Sequence, residues 1–242
     1  MKIKTIITIT TITTLLPLIA LAQLDFNLDN LFLNEEISPA ITINKLDLIW
    51  SADTYTPYEY QGRALPVVGS EIEVAAIVNT SGGRAGDLKY SWFLEDVFQR
   101  SKSGYGKNRF SFYVLQRAGA NHTVKVQVFN DDRSVFEEKT IQIPIVEPEI
   151  ILQSSATSSN REFSFVAKPY FFSIKKLTDL SFEWYVPGQE TIISSDYDAS
   201  VLNLNIGGKT DQSFLENDLR VSVSNIQDPR QEASQTIKFE IY

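Results

Sequence analysis

Two loops carry the oxygen-rich side chains best suited to bind a metal ion in this sequence. The loops are NTSGGRAGD and NDDRS, and the side chains are Asp87, Asn130, Asp131 and Asp132. Calcium takes about six to eight oxygen ligands of this kind. We therefore expect no cofactor, or a calcium ion if the fold brings both loops together. Arg84 and Arg133 lie in the same loops, so two solvated turns with internally neutralised charge are the alternative.

Two aromatic stretches fall outside the regular apolar pattern. The first, WSADTYTPYEYQG, contains Tyr55, Tyr58 and Tyr60, and the second, KPYFFSIKK, contains Tyr170, Phe171 and Phe172. Apolar groups of this size usually mark an interface. They either meet at the junction of two domains and pack these domains together, or bind an external ligand or partner, such as a sugar on which the rings stack. Sugar binding requires the three tyrosines of the first stretch to be exposed and nearly coplanar.

Residues suited to catalysis are scarce. A hydrolase needs a nucleophile with a base, or a pair of tuned carboxylates, and the only histidine is His122. That histidine is in phase with buried strand positions, so we expect a hydrogen-bonded residue at the edge of a core. One histidine and no cysteine exclude the usual zinc sites. The glycine-rich SGYGKN precedes a strand pattern, which predicts a tight turn rather than a phosphate loop. We expect no enzyme.

The charge of the chain disfavours two classes of partner. Its 242 residues have a formal net charge of -8. Nucleic-acid binding depends on Lys and Arg neutralising phosphates, and anionic membrane surfaces attract basic segments. We expect no nucleic-acid partner, and membrane contact only if the N-terminal segment stays attached.

That segment, residues 1–22, has the organisation of a secretory signal peptide. Two lysines precede an apolar, threonine-rich run, and Ala20-Leu21-Ala22 presents small residues to a signal peptidase. We expect cleavage before Gln23, with a retained membrane anchor as the alternative. The protein would then be exported, to the extracellular space, the cell surface or a periplasm.

Residues 23–40 form an acidic spacer, and from Ile41 onward apolar and polar residues alternate. This period of two is typical of strands with one buried face. Clusters of Gly, Asn, Asp and Ser, which favour turns, separate the strands. Five strand patterns in the first half are EIEVAAIV, LKYSWFL, NRFSFYV, HTVKVQVF and KTIQIPI. We predict an all-β protein.

The strand pattern occurs twice. REFSFVA matches SEIEVAA, DLSFEWY matches DLKYSWF, DLRVSVSN matches TVKVQVFN, and QTIKFEI matches KTIQIPI, at offsets of 91 to 96 residues. Ordered matches indicate an internal repeat, here of roughly seven strands, the size of an immunoglobulin-like sandwich. The predicted modules are residues 41–147 and 148–242. Trp92 and Trp184 are expected in their cores, and the two acidic loops at one end of the first module.

Both modules resemble the PKD family and related immunoglobulin-like domains. The segments GSEIEVAA, GDLKYSW and AGANHTVKVQVFNDD follow that family's order of a Gly-Ser start, a Tyr-x-Trp strand and a strand of alternating valines. The turns after the tryptophans, FLEDVF and YVPGQE, depart from the family. The whole chain is similar to uncharacterised exported bacterial proteins with the same tandem. The resemblance implies an extracellular, non-catalytic module for spacing or adhesion.

The resulting hypothesis is an exported, non-catalytic interaction or spacer protein of the cell surface. Two tandem immunoglobulin-like (PKD-like) β-sandwiches, stiffly joined, would follow a signal peptide. Its partner would be a cell-envelope protein or polysaccharide. The second hypothesis is a carbohydrate-binding protein that uses exposed tyrosines, and the third is an enzyme.

Overall fold

A computed structural model describes residues 40–156, 162–186, 192–194, 198–205 and 217–239. These residues belong to one compact unit, Pro39–Tyr242. They form strands, turns and short 3-10 turns, with no α-helix among them, so the predicted all-β class is confirmed. Nowhere in this described part does a helix reach the length and hydropathy required to span a bilayer. The predicted signal peptide and all but the last residue of the acidic spacer lie outside the described residues.

The first sandwich contains eight strands arranged in two antiparallel sheets. One sheet has the order β1-β2-β6, and the other has the order β4-β3-β7-β8, with β5 also paired to β3. Every second side chain of a strand faces the opposite sheet, which is why the alternating segments form this layer structure. The strands are β1 (Thr42–Ala52), β2 (Glu71–Ser81), β3 (Lys89–Leu94), β4 (Val97–Phe98), β5 (Gly104–Tyr105), β6 (Arg109–Tyr113), β7 (Asn121–Phe129) and β8 (Phe136–Pro144).

Side chains from both sheets meet in one core. Ile72 and Val74 of β2 pack with Trp92 of β3 and Val126 of β7, and all four are fully buried. The indole Nε1–H of Trp92 donates to the backbone oxygen of Lys107 at 2.8 Å, so the buried ring leaves no unpaired donor. The predicted core role of Trp92 is confirmed.

The second sandwich repeats this plan with seven strands in the described residues. Its sheets have the orders β13-β10-β9 and β12-β11-β14-β15. The strands are β9 (Glu149–Ala156), β10 (Glu162–Tyr170), β11 (Leu180–Tyr185), β12 (Ile192–Ser194), β13 (Val201–Asn205), β14 (Asn217–Asn225) and β15 (Glu232–Phe239).

Its core is separate from the first one. Phe165 of β10 packs with Trp184 of β11 and Val221 of β14, and all three are fully buried. Trp184 donates its Nε1–H to the backbone oxygen of Ala199 at 3.0 Å, which matches the bond that Trp92 makes. The predicted core role of Trp184 is confirmed, and the two cores form two tandem immunoglobulin-like β-sandwiches.

Candidate functional site at the junction of the two sandwiches

Three loops meet where the first sandwich contacts the second, and we call this region the junction. Loop 53–70 connects β1 to β2, loop 171–179 connects β10 to β11, and loop 226–231 connects β14 to β15. Five of the six aromatic residues singled out in the sequence contact one another or a core here. They are Tyr55, Tyr60, Tyr170, Phe171 and Phe172.

The backbone joins the two sandwiches through Tyr55 and Phe172, which form an isolated antiparallel bridge. The Tyr55 N–H donates to the Phe172 oxygen, and the Phe171 N–H donates to the Tyr55 oxygen, each at 2.7 Å. The Tyr55 ring packs against the second core, in which Phe172 is fully buried. Burial raises the pKa of the Tyr55 hydroxyl, and Glu59 and Tyr170 add to this effect. The side chain of Tyr55, a residue of the first sandwich, therefore packs against the core of the second.

A small aromatic cluster lies beside this bridge. The Tyr60 ring meets the Tyr170 ring edge-on, with centroids 5.5 Å apart and an interplanar angle of 77°, and meets Phe171 in the same way at 5.8 Å. Edge-to-face contacts of this kind are favourable beyond the area that they bury. Phe171 adopts a φ of 65°, which is rare for a bulky residue, and its buried ring and bonded N–H hold it there.

The sixth residue, Tyr58, lies outside the cluster. Its side chain is fully exposed, at 104% of the reference area, on a turn in which the Tyr60 N–H donates to the Pro57 oxygen at 3.0 Å. Tyr55 and Tyr60 are only partly exposed and are engaged as described above. The three tyrosines therefore do not offer the exposed, coplanar set that sugar stacking by these residues requires.

A buried amide connects all three loops. Gln231, at 1% exposure, donates its Nε2–H to the Val68 oxygen at 2.8 Å. Its Oε1 accepts from the Ser173 N–H at 2.8 Å and from Asn225 Nδ2 at 3.1 Å. A buried polar network with its members paired fixes one arrangement, because any displacement leaves groups unpaired in a dry environment. Gln231 thus specifies how the loops are placed.

Ion pairs surround the buried part of the junction. Lys168 of β10 pairs with Glu59, and this contact lowers the pKa of the Glu59 carboxyl. Lys175 Nζ lies 2.5 Å from Asp53 Oδ2, and this carboxylate raises the pKa of Lys175. Both pairs are exposed at one partner or both, so each contributes little by itself. In both pairs a lysine of the second sandwich faces a carboxylate of the first, so the charges of the two surfaces are complementary.

Two junction residues escaped the sequence analysis, namely Gln231 and Gly69. Gly69 has a φ of 85°, and a Cβ atom on it would lie 2.5 Å from Asp228 Oδ2 and 3.3 Å from Gln231 Nε2. Only glycine combines this backbone angle with such a close approach. The Gly-Ser pair before β2 is typical of a turn. It does not predict that a distant loop packs against Gly69.

A cleft of about 290 Å³ adjoins the junction and is lined by Ser51, Ala52, Asp53, Glu71 and Glu73. Asp53 pairs with Lys175 and Glu73 pairs with Arg109, so two of its three carboxylates already have a cationic partner. His122 does not line this cleft. Of these two pairs, Asp53–Lys175 joins the two sandwiches, whereas Glu73–Arg109 lies within the first.

The two acidic loops of the predicted calcium site lie at the same end of the first sandwich. Lys89 follows the first loop and Phe129 precedes the second, and these two residues pair across neighbouring strands. Their side chains are engaged separately. Asp131 Oδ1 lies 2.6 Å from Lys89 Nζ and accepts from the Tyr105 hydroxyl. Lys89 and then Tyr105 lower the pKa of Asp131.

The other predicted ligands have local partners. Asp87 pairs with Arg84 at 3.5 Å, and Asp132 accepts the Ser134 N–H at 3.0 Å. Asn130 Oδ1 accepts the Val135 N–H at 3.0 Å. The described residues include no group of three or more His, Cys, Asp or Glu side chains that could hold a metal ion, so the proposed set is not assembled.

His122 occupies the edge of the first core, at 4% exposure. Its Nδ1 lies 2.9 Å from Glu95 Oε1, and its ring meets Phe112 edge-on at 5.0 Å. Its Nε2 is buried with no hydrogen-bond partner among the described residues. The expectation of a hydrogen-bonded residue holds for one ring nitrogen and fails for the other.

The SGYGKN segment follows the Trp92 strand. It contains β5 and a turn in which the Asn108 N–H donates to the Gly106 oxygen at 2.8 Å. Gly106 has a φ of 64°. The tight turn is confirmed, and a strand follows it.

Comparisons with known proteins give structural likeness at low sequence identity. No family model matches the chain, and no curated protein matches it. The three N-terminal domains of the Highly Immunogenic Outer Capsid protein (Hoc) of bacteriophage RB49 have a TM-score of 0.46 and 14% identity, with 83% of this chain and 59% of that chain covered. The FN1–FN3 domains of chicken CNTN1 have a TM-score of 0.29 and 11% identity, with 73% and 64% covered.

A third match is β-glucuronidase 3 of Bacteroides uniformis, with a TM-score of 0.26, 14% identity, and 81% of this chain and 25% of that chain covered. The chain thus spans less than two thirds of each of these proteins. The assignment as two immunoglobulin-like sandwiches rests on the sheets, the cores and the repeated tryptophan bonds of the chain itself.

Proposed function

We propose that this chain is an exported, non-catalytic interaction or spacer protein in which two PKD-like modules are held as one stiff unit. It would work at the cell surface, in the extracellular space or in a periplasm. Its partner would be a cell-envelope protein or polysaccharide, with no nucleic acid involved and no cofactor needed. Membrane contact would arise only if residues 1–22 remain attached.

The junction is the observation that carries this proposal. Tandem modules that only need a tether are joined by exposed, polar linkers with few contacts. Here a backbone bridge, a buried amide and two ion pairs join the modules. The connection between β8 and β9 is also held, because the Val146 N–H donates to the Pro66 oxygen at 3.0 Å. Such a joint keeps distant surfaces at a fixed separation.

Two observations favour a non-catalytic role. The single histidine is buried against Phe112, where a substrate has no access to it. In the acidic cleft, Asp53 and Glu73 face Lys175 and Arg109, whereas paired carboxylates that act as acid and base must face a substrate.

The proposal is tested by measuring the distance between the modules. The chain has no cysteine, so Thr140→Cys on β8 and Ser234→Cys on β15 introduce the only two spin-label sites, both exposed. Pulsed electron resonance should give one narrow distance distribution. Gln231→Ala should broaden it, while Gln235→Ala, which changes an exposed residue of β15, should leave it narrow. A broad distribution in the chain with its native junction would contradict the proposal.

Export is tested by the mass of the protein recovered from the cells that make it. We expect a chain that begins at Gln23 and is found in the envelope or the medium. Recovery of the uncleaved chain from the cytosol would refute this part of the proposal.

A further inference from the structure

The outer face of the β4-β3-β7-β8 sheet carries large aromatic side chains that point to solvent. Phe98 is 46% exposed, Tyr105 is 53% exposed and Phe136 is 46% exposed. The opposite face of this sheet supplies Trp92 and Val126 to the core. A solvated sheet face is ordinarily polar, and grouped exposed apolar side chains mark interaction sites.

Strand pairing places Tyr105 and Phe136 in one line with two further residues. Lys89 pairs with Tyr105 on one side and with Phe129 on the other, and Phe129 pairs with Phe136. Because neighbouring strands are about 4.8 Å apart, the line spans roughly 14 Å across the sheet. We call Tyr105, Lys89, Phe129 and Phe136 the aromatic row.

The second sandwich shows what the fold requires at these positions. There Ser181 pairs with Ser224, and Ser224 pairs with Glu232, in the same register as Lys89, Phe129 and Phe136 in the repeat. Three polar residues therefore serve where the first sandwich has two phenylalanines and a lysine. The aromatic row is not needed to build the sheet.

A cation–ring pair near the aromatic row, unlike the row itself, occurs in both modules. Lys125 Nζ lies 4.9 Å from the Phe93 ring centre in the first sandwich, and Arg220 lies 5.3 Å from the Tyr185 ring centre at the same place in the second. This cation–ring contact occurs in both modules, so it belongs to the fold. Of these two features, the aromatic row is the one that the second module lacks.

The two lysines of this face are paired with carboxylates of the same face. Lys89 pairs with Asp131 at 2.6 Å, and Lys125 pairs with Asp96 at 2.9 Å. Lys89 and Arg133 also lie over aromatic rings, at 4.7 Å from Tyr105 and 4.8 Å from Phe129. A ligand that is itself charged would have to break these pairs, so the face matches an uncharged ligand.

Uncharged hydrogen-bonding groups lie beside the aromatic row. Ser91 and Gln127 pair with each other on neighbouring strands, and Gln127 Nε2 donates to Glu138 Oε2 at 2.7 Å. A ligand that combines flat apolar faces with many hydroxyl groups satisfies both the rings and these polar groups. Neutral sugar chains have this chemistry, and rigid aromatic rings offer them contact area at little entropic cost.

We propose that the aromatic row binds a neutral polysaccharide, with the rings of Tyr105 and Phe136 against sugar rings and Gln127 among the polar contacts. This inference deepens the proposed function, on which it rests, by naming the class of envelope partner. It places sugar binding on the sheet face of the first sandwich and not on the tyrosines of the junction.

The test is affinity electrophoresis of the full chain in gels that contain soluble neutral polysaccharides (hydroxyethylcellulose, laminarin, arabinoxylan and galactomannan). At least one should retard the protein, and the double variant Tyr105→Ser/Phe136→Ser should bind it at least tenfold more weakly. Tyr185→Ser is the matched control, since it removes an exposed ring (41%) from the second sandwich, and it should bind like the native chain. Urea midpoints confirm that each variant is folded.

Three results would overturn the inference. The first is that no polysaccharide of the panel retards the native chain, and the second is that the double variant is retarded equally. The third is self-association of the native chain in sedimentation, abolished by Phe136→Glu, which would make a second copy the occupant.

Spin-label distances in the double variant separate this inference from the proposed function. Lost sugar binding with a narrow distribution leaves the stiff unit intact, whereas a broad distribution contradicts that unit.

Discussion

Tyr55 and Phe172 join the two sandwiches through their backbones, although they are 117 positions apart in the sequence. The Tyr55 N–H donates to the Phe172 oxygen at 2.7 Å, and the Tyr55 ring packs against the core that contains Phe172. The loop of one module is thus part of the other module's structure. Damage to the junction should therefore reduce the stability of the second sandwich as well as the stiffness of the pair.

The first prediction concerns Gly69. Gly69→Ala should lower the free energy of unfolding by about 1–3 kcal/mol, because it combines a left-handed backbone angle with a clash. Gly119→Ala is the matched control, since Gly119 has a φ of 84° but nothing within 4 Å of the added carbon, whereas Gly69 faces Asp228. Urea unfolding followed by circular dichroism measures both. Equal losses for the two variants would show that the facing loop does not constrain Gly69.

The second prediction concerns the buried amide. Gln231→Ala should destabilise the protein by about 2–3 kcal/mol, because the Val68 oxygen and the Ser173 N–H lose their partner in a buried site. Gln235→Ala, at an exposed position of β15, the strand that follows Gln231, should change stability by less than about 0.5 kcal/mol. Chemical unfolding of both variants gives the comparison. A loss below 1 kcal/mol for Gln231→Ala would contradict a specifying role for this residue.

The third prediction concerns acid. Lys168 lowers the pKa of Glu59 below its usual 4.5, and Arg230 lowers the pKa of Asp228 below its usual 3.8. Because the folded-state pKa values are the lower ones, the ionised carboxylates stabilise the fold above these usual values. This stability is lost as the pH falls through the lowered folded-state values. Unfolding midpoints should therefore fall as the pH decreases below about 4.5.

Glu59→Gln/Asp228→Asn should weaken that acid dependence. Glu183→Gln/Asp218→Asn removes the same number of charges from exposed positions of the second sandwich and serves as the control. Urea midpoints between pH 7 and pH 3 measure the slope. If both double variants retain the slope of the native chain, the junction carboxylates do not contribute to it.

The fourth prediction concerns the paired tryptophans. Trp92→Phe and Trp184→Phe should each destabilise the protein by about 2–3 kcal/mol, because each opens space in a core and leaves a carbonyl without its donor. Trp50→Phe should have a smaller effect, since Trp50 is only partly buried and is covered by Arg63 at 4.6 Å. Unfolding monitored by circular dichroism ranks the three. A Trp184→Phe effect no larger than that of Trp50→Phe would exclude an equivalent role for the two core tryptophans.

The sequence predicted the features that depend on neighbouring residues. Alternation in EIEVAAIV places Ile72 and Val74 on one face, and both are buried. The Trp92 and Trp184 segments match each other in the sequence, and both rings are in cores with the same kind of hydrogen bond. Period-two patterning and internal repetition are local properties, so they can be seen without knowing which strands pair.

The candidate site was predicted only in outline. The sequence identifies the two aromatic stretches, but Tyr58 is exposed while Phe172 is fully buried, and nothing in the two stretches distinguishes these two residues. The acidic loops were placed at the same end, yet Asp131 is held by Lys89 and Tyr105. The cation that pairs with a given carboxylate depends on the register of neighbouring strands, and this register cannot be predicted from the sequence alone.

The amino-acid sequence by itself determined the β-class, the two repeats and their tryptophan-centred cores, because burial of alternate residues follows from the chain's own periodicity. Only the tertiary structure decided how the modules meet. Gln231 and the Val68 oxygen are 163 residues apart, and Gly69 has no room for a side chain because a distant loop lies against it. Contacts of this kind arise from the packing of one folded surface on another, which no local pattern encodes.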